Sequence, residues 1–494
     1  MVNTKKKFEE IEHTEIEVPE TDIPDDKISW CSVLLSEVLN NYNRFEASAY
    51  SLEAKNAREE INNSKYPSKK LYGNNGFSDT AFYPGRFKRT YISNGERSIG
   101  FLGSSEMLEI NPKPVKYLNK EQEDLKSLFV KRGDVLLSRS GTIGNIAYVT
   151  KTLQNFLVSE HSIRLRNIEY SGYIYAFLKT PIGQCLIKTN TFGSVVSQIE
   201  PKHLENIEIP NPPEILKKEI HNLIVKSYDL RDESNDLIDE AEKLLIQELK
   251  LPPIEDFKPK YYNQNNEIRN FEVSLSKLNN RFDASYHVPI VDCIIEHLKA
   301  HSKALKKIGD EDISADVILP GRFARTYVEE GQGVKFIGGK DLLQLNPSTD
   351  KYLSKKVHEN IIEKQLGIKE NDLIMPGRGT IGYTVLAPKH FEGWAISDNL
   401  IKITIENTEL FGYIYCYFNS VYGKTLIERQ IYGGVVNAIE PQHIREIPIP
   451  ILNNKDIQDK INALVLQANK KRYEAYILEQ KAIKMVNEKV IYTN

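Results

Sequence analysis

At 494 residues, with 40% apolar and 27% charged side chains, the chain has a globular composition and room for about three domains. Its net charge of −3 excludes a strongly basic nucleic-acid binder, so any contact with nucleic acid must come from local patches. No window approaches the roughly 18 apolar residues of a membrane span. The first twenty residues lack an apolar signal-peptide core, and Cys31, Cys185, Cys293 and Cys416 are scattered without a C-x-x-C pair. These features point to a reduced, cytoplasmic protein with no disulfide framework and no zinc site.

Residues 8–26 hold nine carboxylates, two prolines and no Lys or Arg. That stretch cannot bury enough apolar surface to fold, so residues 1–27 are expected to be an acidic, mostly disordered tail: a solvating segment or a regulatory DNA mimic. Helices are expected over 33–41 and 51–62, and strands over 98–102, 134–138, 146–150 and 162–166. A helix over 172–189 should break near Pro181.

Two much longer helices are expected at 214–250 and 455–490. The first has Leu216, Ile220, Leu223, Leu230, Leu237, Ala241 and Leu244 at 3-4 spacing, with Ser227 and Ser234 between them. The second repeats the alternation with Ile457, Ile461, Leu464, Ala468, Ala475, Leu478, Ala482 and Met485, with Lys471 on the seam. Proline clusters precede both (Pro210, Pro212, Pro213; Pro448, Pro450), and Leu251-Pro252-Pro253 closes the first. Each would be roughly 50 Å long. Two such helices in one chain most simply pack on each other.

The chain is internally duplicated, with a spacing near 235–240 residues. Arg44-Phe45-Glu46-Ala47-Ser48 returns as Arg281-Phe282-Asp283-Ala284-Ser285. PGRFKRTY from Pro84 returns as PGRFARTY from Pro320, and LEINP from Leu108 as LQLNP from Leu343. GDVLLSRSGTIG from Gly133 returns as NDLIMPGRGTIG from Asn371, and GYIY occurs at Gly172 and Gly412. GSVVSQIEPKHLENIEIP from Gly193 returns as GGVVNAIEPQHIREIPIP from Gly433. Each long helix follows its own copy, so an antiparallel pair would carry the two heads at opposite ends. The expected fold is two α/β (α+β) heads in pseudo-two-fold repeat, separated by an antiparallel two-helix coiled coil. The boundaries are 28–212 for the first head, 213–251 for its helix, 252–452 for a linker and the second head, and 453–494 for the last helix.

Several catalytic lookalikes fail. Gly377-Arg378-Gly379-Thr380-Ile381-Gly382 satisfies G-x-G-x-x-G, but its flanks read as strands, and Arg139 stands in place of Gly377 in the first copy. A dinucleotide loop needs a helix whose N-terminus holds the phosphates. The shared feature is instead a hairpin with G-T-I-G at its tip. Asn211-Pro212-Pro213-Glu214 lacks the stacking aromatic of an adenine methyltransferase motif and reads as a hinge before a helix. Gly423-Lys424-Thr425 ends like a Walker A loop, but Phe418 sits where the first glycine belongs. His203 and His443 each follow Glu-Pro at a helix start and have no second ligand at metal spacing, which suits capping or packing better than a metal. A binding protein is the expectation.

In this order and spacing the motifs resemble the specificity (S) subunits of type I restriction-modification systems, over nearly the whole length beyond the tail. Arg281-Phe282-Asp283-Ala284 is similar to that family's entry to a recognition domain. The hairpin from Asp134 is similar to its D-I-L-L-S-R-S-G-T-I-G segment, and Ile207 to Pro213 to its exit into a helix. The acidic extension and the N-P-P-E helix entry depart from the pattern. The resemblance implies a subunit without catalysis or cofactor of its own, in which each head reads one half of a bipartite, asymmetric double-stranded DNA site. Two methyltransferase (M) subunits would dock around the rod and transfer methyl from S-adenosylmethionine to adenine N6. ATP- and Mg-dependent restriction (R) subunits would cut unmethylated DNA. The candidate contacts are Arg86, Lys88, Arg89 and Tyr91 with Arg322, Arg325 and Tyr327 in the Pro-Gly turns. Arg139, Ser140 and Thr142 with Arg378 and Thr380 lie on the hairpin tips, and Gln198 and Asn437 in the G-x-V-V loops. The Pro-Gly-Arg-Phe turns equally allow Phe87 and Phe323 to serve as core anchors beneath surface arginines. A two-headed protein-binding scaffold, or a nuclease or methyltransferase of novel site spacing, are the alternatives.

Overall fold

Two helices, Glu214–Glu248 and Lys455–Val486, run antiparallel through the molecule. The computed structural model describes residues 32–40, 44–193, 197–257, 271–347, 349 and 351–493; the acidic tail lies outside them. The first helix begins directly after Pro212-Pro213. The second is capped by Asn454, whose side chain accepts from the N–H groups of Asp456 and Ile457. The direction follows from who meets whom. Ile220 and Ile224 share a core with Ala482, Met485 and Val486. Ile238, Ala241 and Leu245 share one with Ile461, Val465 and Ala468. Near the middle Ser227 Oγ donates to Ala475 O at 2.7 Å, and Lys471 pairs with Glu233 at 2.5 Å.

The expected seam needs one correction. Ile220, Leu230, Ala241, Ile461, Ala468, Ala475, Ala482 and Met485 are buried. Leu216, Leu223, Leu237, Leu244, Ile457, Leu464 and Leu478 are only half-buried. Full burial passes to a neighbouring stripe that includes Ile224, Tyr228, Ile238, Leu245, Val465 and Val486. Each helix packs on its partner and on a head, so its apolar arc is wider than a two-stranded coiled-coil seam.

The heads repeat one topology. In the first, Thr80–Phe82, Ser162–Arg166, Val135–Ser138 and Ile146–Tyr148 pair in that order as an antiparallel sheet. A second sheet orders Tyr91–Ile92, Lys116–Asn119, Ser98–Leu102 and Leu157–Val158, the last pair parallel. Ser68–Lys70 pairs with Glu208–Pro210. In the second head the corresponding sheets are Ser314–Ile318, Leu400–Ile405, Leu373–Pro376, Val385–Leu386 and Tyr327–Val328, Tyr352–Ser354, Gly333–Ile337, Ala395–Ile396. Ala304–Lys307 pairs with Pro448–Ile451. The expected helix 172–189 is two, Ser171–Leu178 and Pro181–Thr189, with Thr180 capping the second.

The glycine of each GYIY lets its head touch the rod. A Cβ on Gly172 would lie 2.8 Å from His221 O, and one on Gly412 2.5 Å from Asn462 O. Gly172 N donates to His221 Nδ1 at 3.0 Å, and Gly412 N to Asn462 Oδ1 at 2.7 Å. This fixes the correspondence between the long helices: His221 matches Asn462, Arg231 matches Arg472, and Ile238 matches Glu479.

At the centre of the pair the two halves differ. Glu479 is fully buried, forms an ion pair with Arg231, and accepts from Tyr175 OH at 2.6 Å. Tyr228 OH donates to Tyr175 OH at 2.7 Å. Burial alone would push the Glu479 carboxyl up, yet Arg231 and Lys179 hold it below the usual carboxylate range. Arg472, also buried, has Tyr415 OH at 3.3 Å and Ser234 Oγ at 3.4 Å. Ile238, and not a carboxylate, occupies the position that corresponds to Glu479 in the other half.

The heads also touch. Glu109 and Gln344, matched residues of LEINP and LQLNP, form an antiparallel bridge, and Ile110 N donates to Leu343 O at 3.1 Å. Burial, with Glu106 nearby, pushes the Glu109 carboxyl up to about 7. A folded-state pKa above the unfolded value means that stability from the protonated form is present at low pH and lost as pH rises through 7. Glu109→Gln, which installs the residue of the second copy, should therefore raise stability by about 1–3 kcal/mol at pH 8 and change it little at pH 5. Thermal unfolding at the two pH values checks this.

Candidate nucleic-acid interface

Each hairpin tip is built by glycines in the left-handed region. Gly141 and Gly379, at φ 79° and 84°, reverse the chain where a Cβ would be strained. Against each tip lies the G-x-V-V loop, closed at its foot by paired backbone bonds. These join Phe192 to Gln198 at 2.8 and 2.7 Å and Tyr432 to Ala438 at 2.9 Å both ways. Loop and tip are stitched together by Ile199 N to Arg139 O and by Gly379 N to Asn437 O, each 2.9 Å. Residues 194–196 lie outside the described residues.

The arginines at the tips behave differently. Arg139 turns inward: it is buried, stacks 3.9 Å from the Tyr83 ring centroid, and donates to Gln198 Oε1 at 3.3 Å. In the second head Gly377 and Leu319 stand in for Arg139 and Tyr83, and a Cβ at 377 would lie 3.2 Å from Leu319. Arg378 points outward, 3.7 Å from Glu440. Ser140 Oγ lies 2.7 Å from His161 Nδ1, whereas Thr142, Thr380 and Asn437 are exposed.

The Pro-Gly turns divide the same way in both heads. Arg89 pairs with buried Glu160 and lies 4.7 Å above Phe101; Arg325 pairs with Asp398 and lies 5.5 Å above Phe336. These pin the turn. Phe87 and Phe323 pack on the small cores beneath, as the anchoring reading expected. Arg86, Lys88 and Arg322 are exposed, and among the described residues no ion-pair partner faces them. Tyr91 and Tyr327 are about half exposed. Sequence reasoning missed Glu160, Asp398, Tyr83 and His161. A signal existed: acid is kept at 160 and 398 in both copies, while Tyr83 and Arg139 are exchanged together.

The lookalikes resolve into structure. Glu200 N donates to His203 Nδ1 and Glu440 N to His443 Nδ1, each at 3.2 Å; burial lowers both imidazole pKa values and keeps the accepting form. Asn211 accepts from Lys217 Nζ at 2.7 Å beside the helix start. Lys424 lies over the Tyr383 ring at 3.9 Å. No cluster of metal-ligating side chains and no helix long and apolar enough to cross a membrane occurs among the described residues.

Residues 59–242, covering most of the first head and its long helix, match the family model for the type I restriction modification DNA specificity domain. No curated protein matches. Among solved structures, the chain is similar to the type I restriction-modification S subunit from M. genitalium, with 14% identity and a TM-score of 0.34, covering 86% of this chain and 96% of that one. It is also similar to the HsdS subunit from Thermoanaerobacter tengcongensis, with 15% identity and a TM-score of 0.26, covering 79% of this chain and 89% of that one.

Proposed function

We propose, from the type I restriction-modification DNA specificity domain at 59–242 and its duplication, that the chain reads a bipartite, asymmetric DNA site. Each head would contact one half-site. The observation that carries this reading is that two heads of one topology sit at opposite ends of an antiparallel helix pair. Each presents exposed polar groups on equivalent turns and tips. The rod, roughly 50 Å long, keeps the half-sites within about 15 base pairs of each other.

Readout would fall to Arg86, Lys88, Tyr91 and Thr142 in the first head, and to Arg322, Tyr327, Arg378, Thr380 and Asn437 in the second. Arg89, Arg325, Arg139, Ser140 and Gln198 would hold those groups in place, since each is tied to a neighbour in its own head. Different residues on one scaffold let the two half-sites differ. Chemistry would belong to partners: M subunits methylating adenine N6 from S-adenosylmethionine, and R subunits using ATP and Mg. The chain itself would hold no cofactor and act in the cytoplasm.

Arg86→Ala and Arg322→Ala test this. If these arginines meet phosphate, each should weaken binding to all sequences alike and lower the salt slope by about one. If they read guanine, each should cost about 1–3 kcal/mol and relax one position of one half-site. Unchanged DNA affinity together with a lower Tm contradicts the interface.

A further inference from the structure

We propose, on the reading of the chain as a two-headed DNA reader, that the matched segments 108–112 and 343–347 form a clasp which helps the rod fix the gap between half-sites. Gly172 and Gly412 tie each head to the rod, not to its counterpart. The clasp ties head to head. Glu109 bridges Gln344, its own counterpart in the repeat, and Ile110 N donates to Leu343 O at 3.1 Å. A residue paired with its own counterpart marks the pseudo-two-fold axis.

The clasp is seated on the middle of the rod. Buried Leu345 packs with Leu230 and Ala475, and Ile110 lies against the same group. Asn235 Nδ2 donates to Ile110 O at 2.8 Å, and His390, whose Nε2 lies 2.8 Å from Leu345 O, stacks on Tyr476 at 3.9 Å. A cavity of about 50 Å³, lined by Glu109, Gln344, Arg231 and Glu479 among others, has room for water beside the bridge. Opening the clasp therefore spares the ion pair beneath it.

What the clasp joins decides its role. In the first head, 108–112 lies between Ser98–Leu102 and Lys116–Asn119, and the latter pairs with Tyr91–Ile92 at the end of the Arg86 turn. In the second, 343–347 lies between Gly333–Ile337 and Tyr352–Ser354, and the latter pairs with Tyr327–Val328 at the end of the Arg322 turn. The two outer sheets that follow the Pro-Gly turns are thus linked directly. The inner sheets, with the hairpin tips, share their cores with the rod. The small cores beneath the turns, Phe101 with Leu118 and Phe336 with Leu353, include no rod residue. With the clasp open, the Arg86 and Arg322 turns could shift relative to each other while the rod stayed intact.

The test is adenine-methylome sequencing of cells carrying the full chain and its partner subunits, with Tm read on each purified chain. The chains are wild type, Ile110→Pro, Gln344→Glu, and the exchange Glu109→Gln with Gln344→Glu. Proline at 110 removes the donated N–H, and Glu109, at φ −70° and ψ 146°, already has the extended backbone that suits a following proline. Gln344→Glu sets like charges opposite each other, whereas the exchange restores a carboxylate facing an amide. Wild type should modify a single gap length. Ile110→Pro should keep the bases of both halves and raise methylation at gaps one base pair longer or shorter by about 10-fold. Gln344→Glu should do so by about 3-fold, and the exchange should return the single gap. A single gap kept by Ile110→Pro, whatever its Tm, overturns the clasp; if that chain does not fold, a single gap kept by Gln344→Glu has the same meaning. So does an exchange that fails to restore the gap, or a loss of bases from either half, which would make the clasp part of readout. A wild-type chain with no bipartite motif of its own overturns the two-headed reading as well.

Discussion

Glu479→Ile should destabilise the folded chain by about 3–5 kcal/mol, the usual cost of stranding one member of a buried ion pair. The substitution leaves Arg231 in the centre of the helix pair with Tyr228 and Tyr175 but no carboxylate. The pseudo-two-fold supplies an internal control. Arg472 is the counterpart of Arg231, and Ile238 the counterpart of Glu479, so a carboxylate at 238 should reach Arg472 and Tyr415 as Glu479 reaches Arg231 and Tyr175. Ile238→Glu combined with Glu479→Ile should therefore recover a large part of the loss, although Ile238→Glu alone adds a second buried charge. Chemical denaturation of the four proteins reads the coupling as a double-mutant cycle. A Glu479→Ile protein as stable as the wild type would mean that Glu479 matters only as packing volume.

The second large effect concerns the first half of the chain by itself. Residues 1–257 carry one head and the helix Glu214–Glu248, whose buried face in the whole chain is covered by the helix Lys455–Val486. A second copy of the fragment is the nearest substitute, in the same antiparallel packing. That pairing would bring two Arg231 side chains to the dyad with Ile238 where Glu479 belongs. Two uncompensated buried cations outweigh much of the apolar gain, so the fragment should remain largely monomeric at micromolar concentration. Ile238→Glu should tighten its self-association by about 100-fold or more, since roughly 3 kcal/mol corresponds to that factor. Sedimentation equilibrium checks both. A tight dimer of the unsubstituted fragment would show that the arginines find another arrangement. With a methyltransferase partner, the dimer of the Ile238→Glu fragment should modify an interrupted palindrome built from one half of the parent site.

Much of this architecture was legible in the sequence because duplication gives each expectation a second instance. The hairpin with Gly141 and Gly379, the break before Pro181 and the long helices after Pro213 and Asn454 are local features, dictated by turn chemistry and periodicity. The centre of the rod was not legible. A 3-4 alternation identifies one stripe, whereas Ile224, Tyr228, Val465 and Glu479 are buried by a neighbouring one that meets the heads. Only tertiary packing defines that stripe. For the same reason Arg139 read as a surface readout group: its burial depends on Tyr83, more than fifty residues away, and only the paired change to Gly377 and Leu319 hints at it. The ion pairs of Arg89 and Arg325 are long-range in the same sense, though the acids at 160 and 398 recur with them.

On the proposed function, this chain determines which DNA sequence its partners modify, through two different half-site readers. Adenine-methylome sequencing of cells with the chain, without it, and with the segments 44–210 and 281–450 exchanged between two such chains tests it most directly. A bipartite, asymmetric N6-methyladenine motif should be present with the chain and disappear when it is removed. Exchanging one head should change one half of the motif and leave the other half and the gap unchanged. An adenine-methylation pattern identical with and without the chain would contradict it.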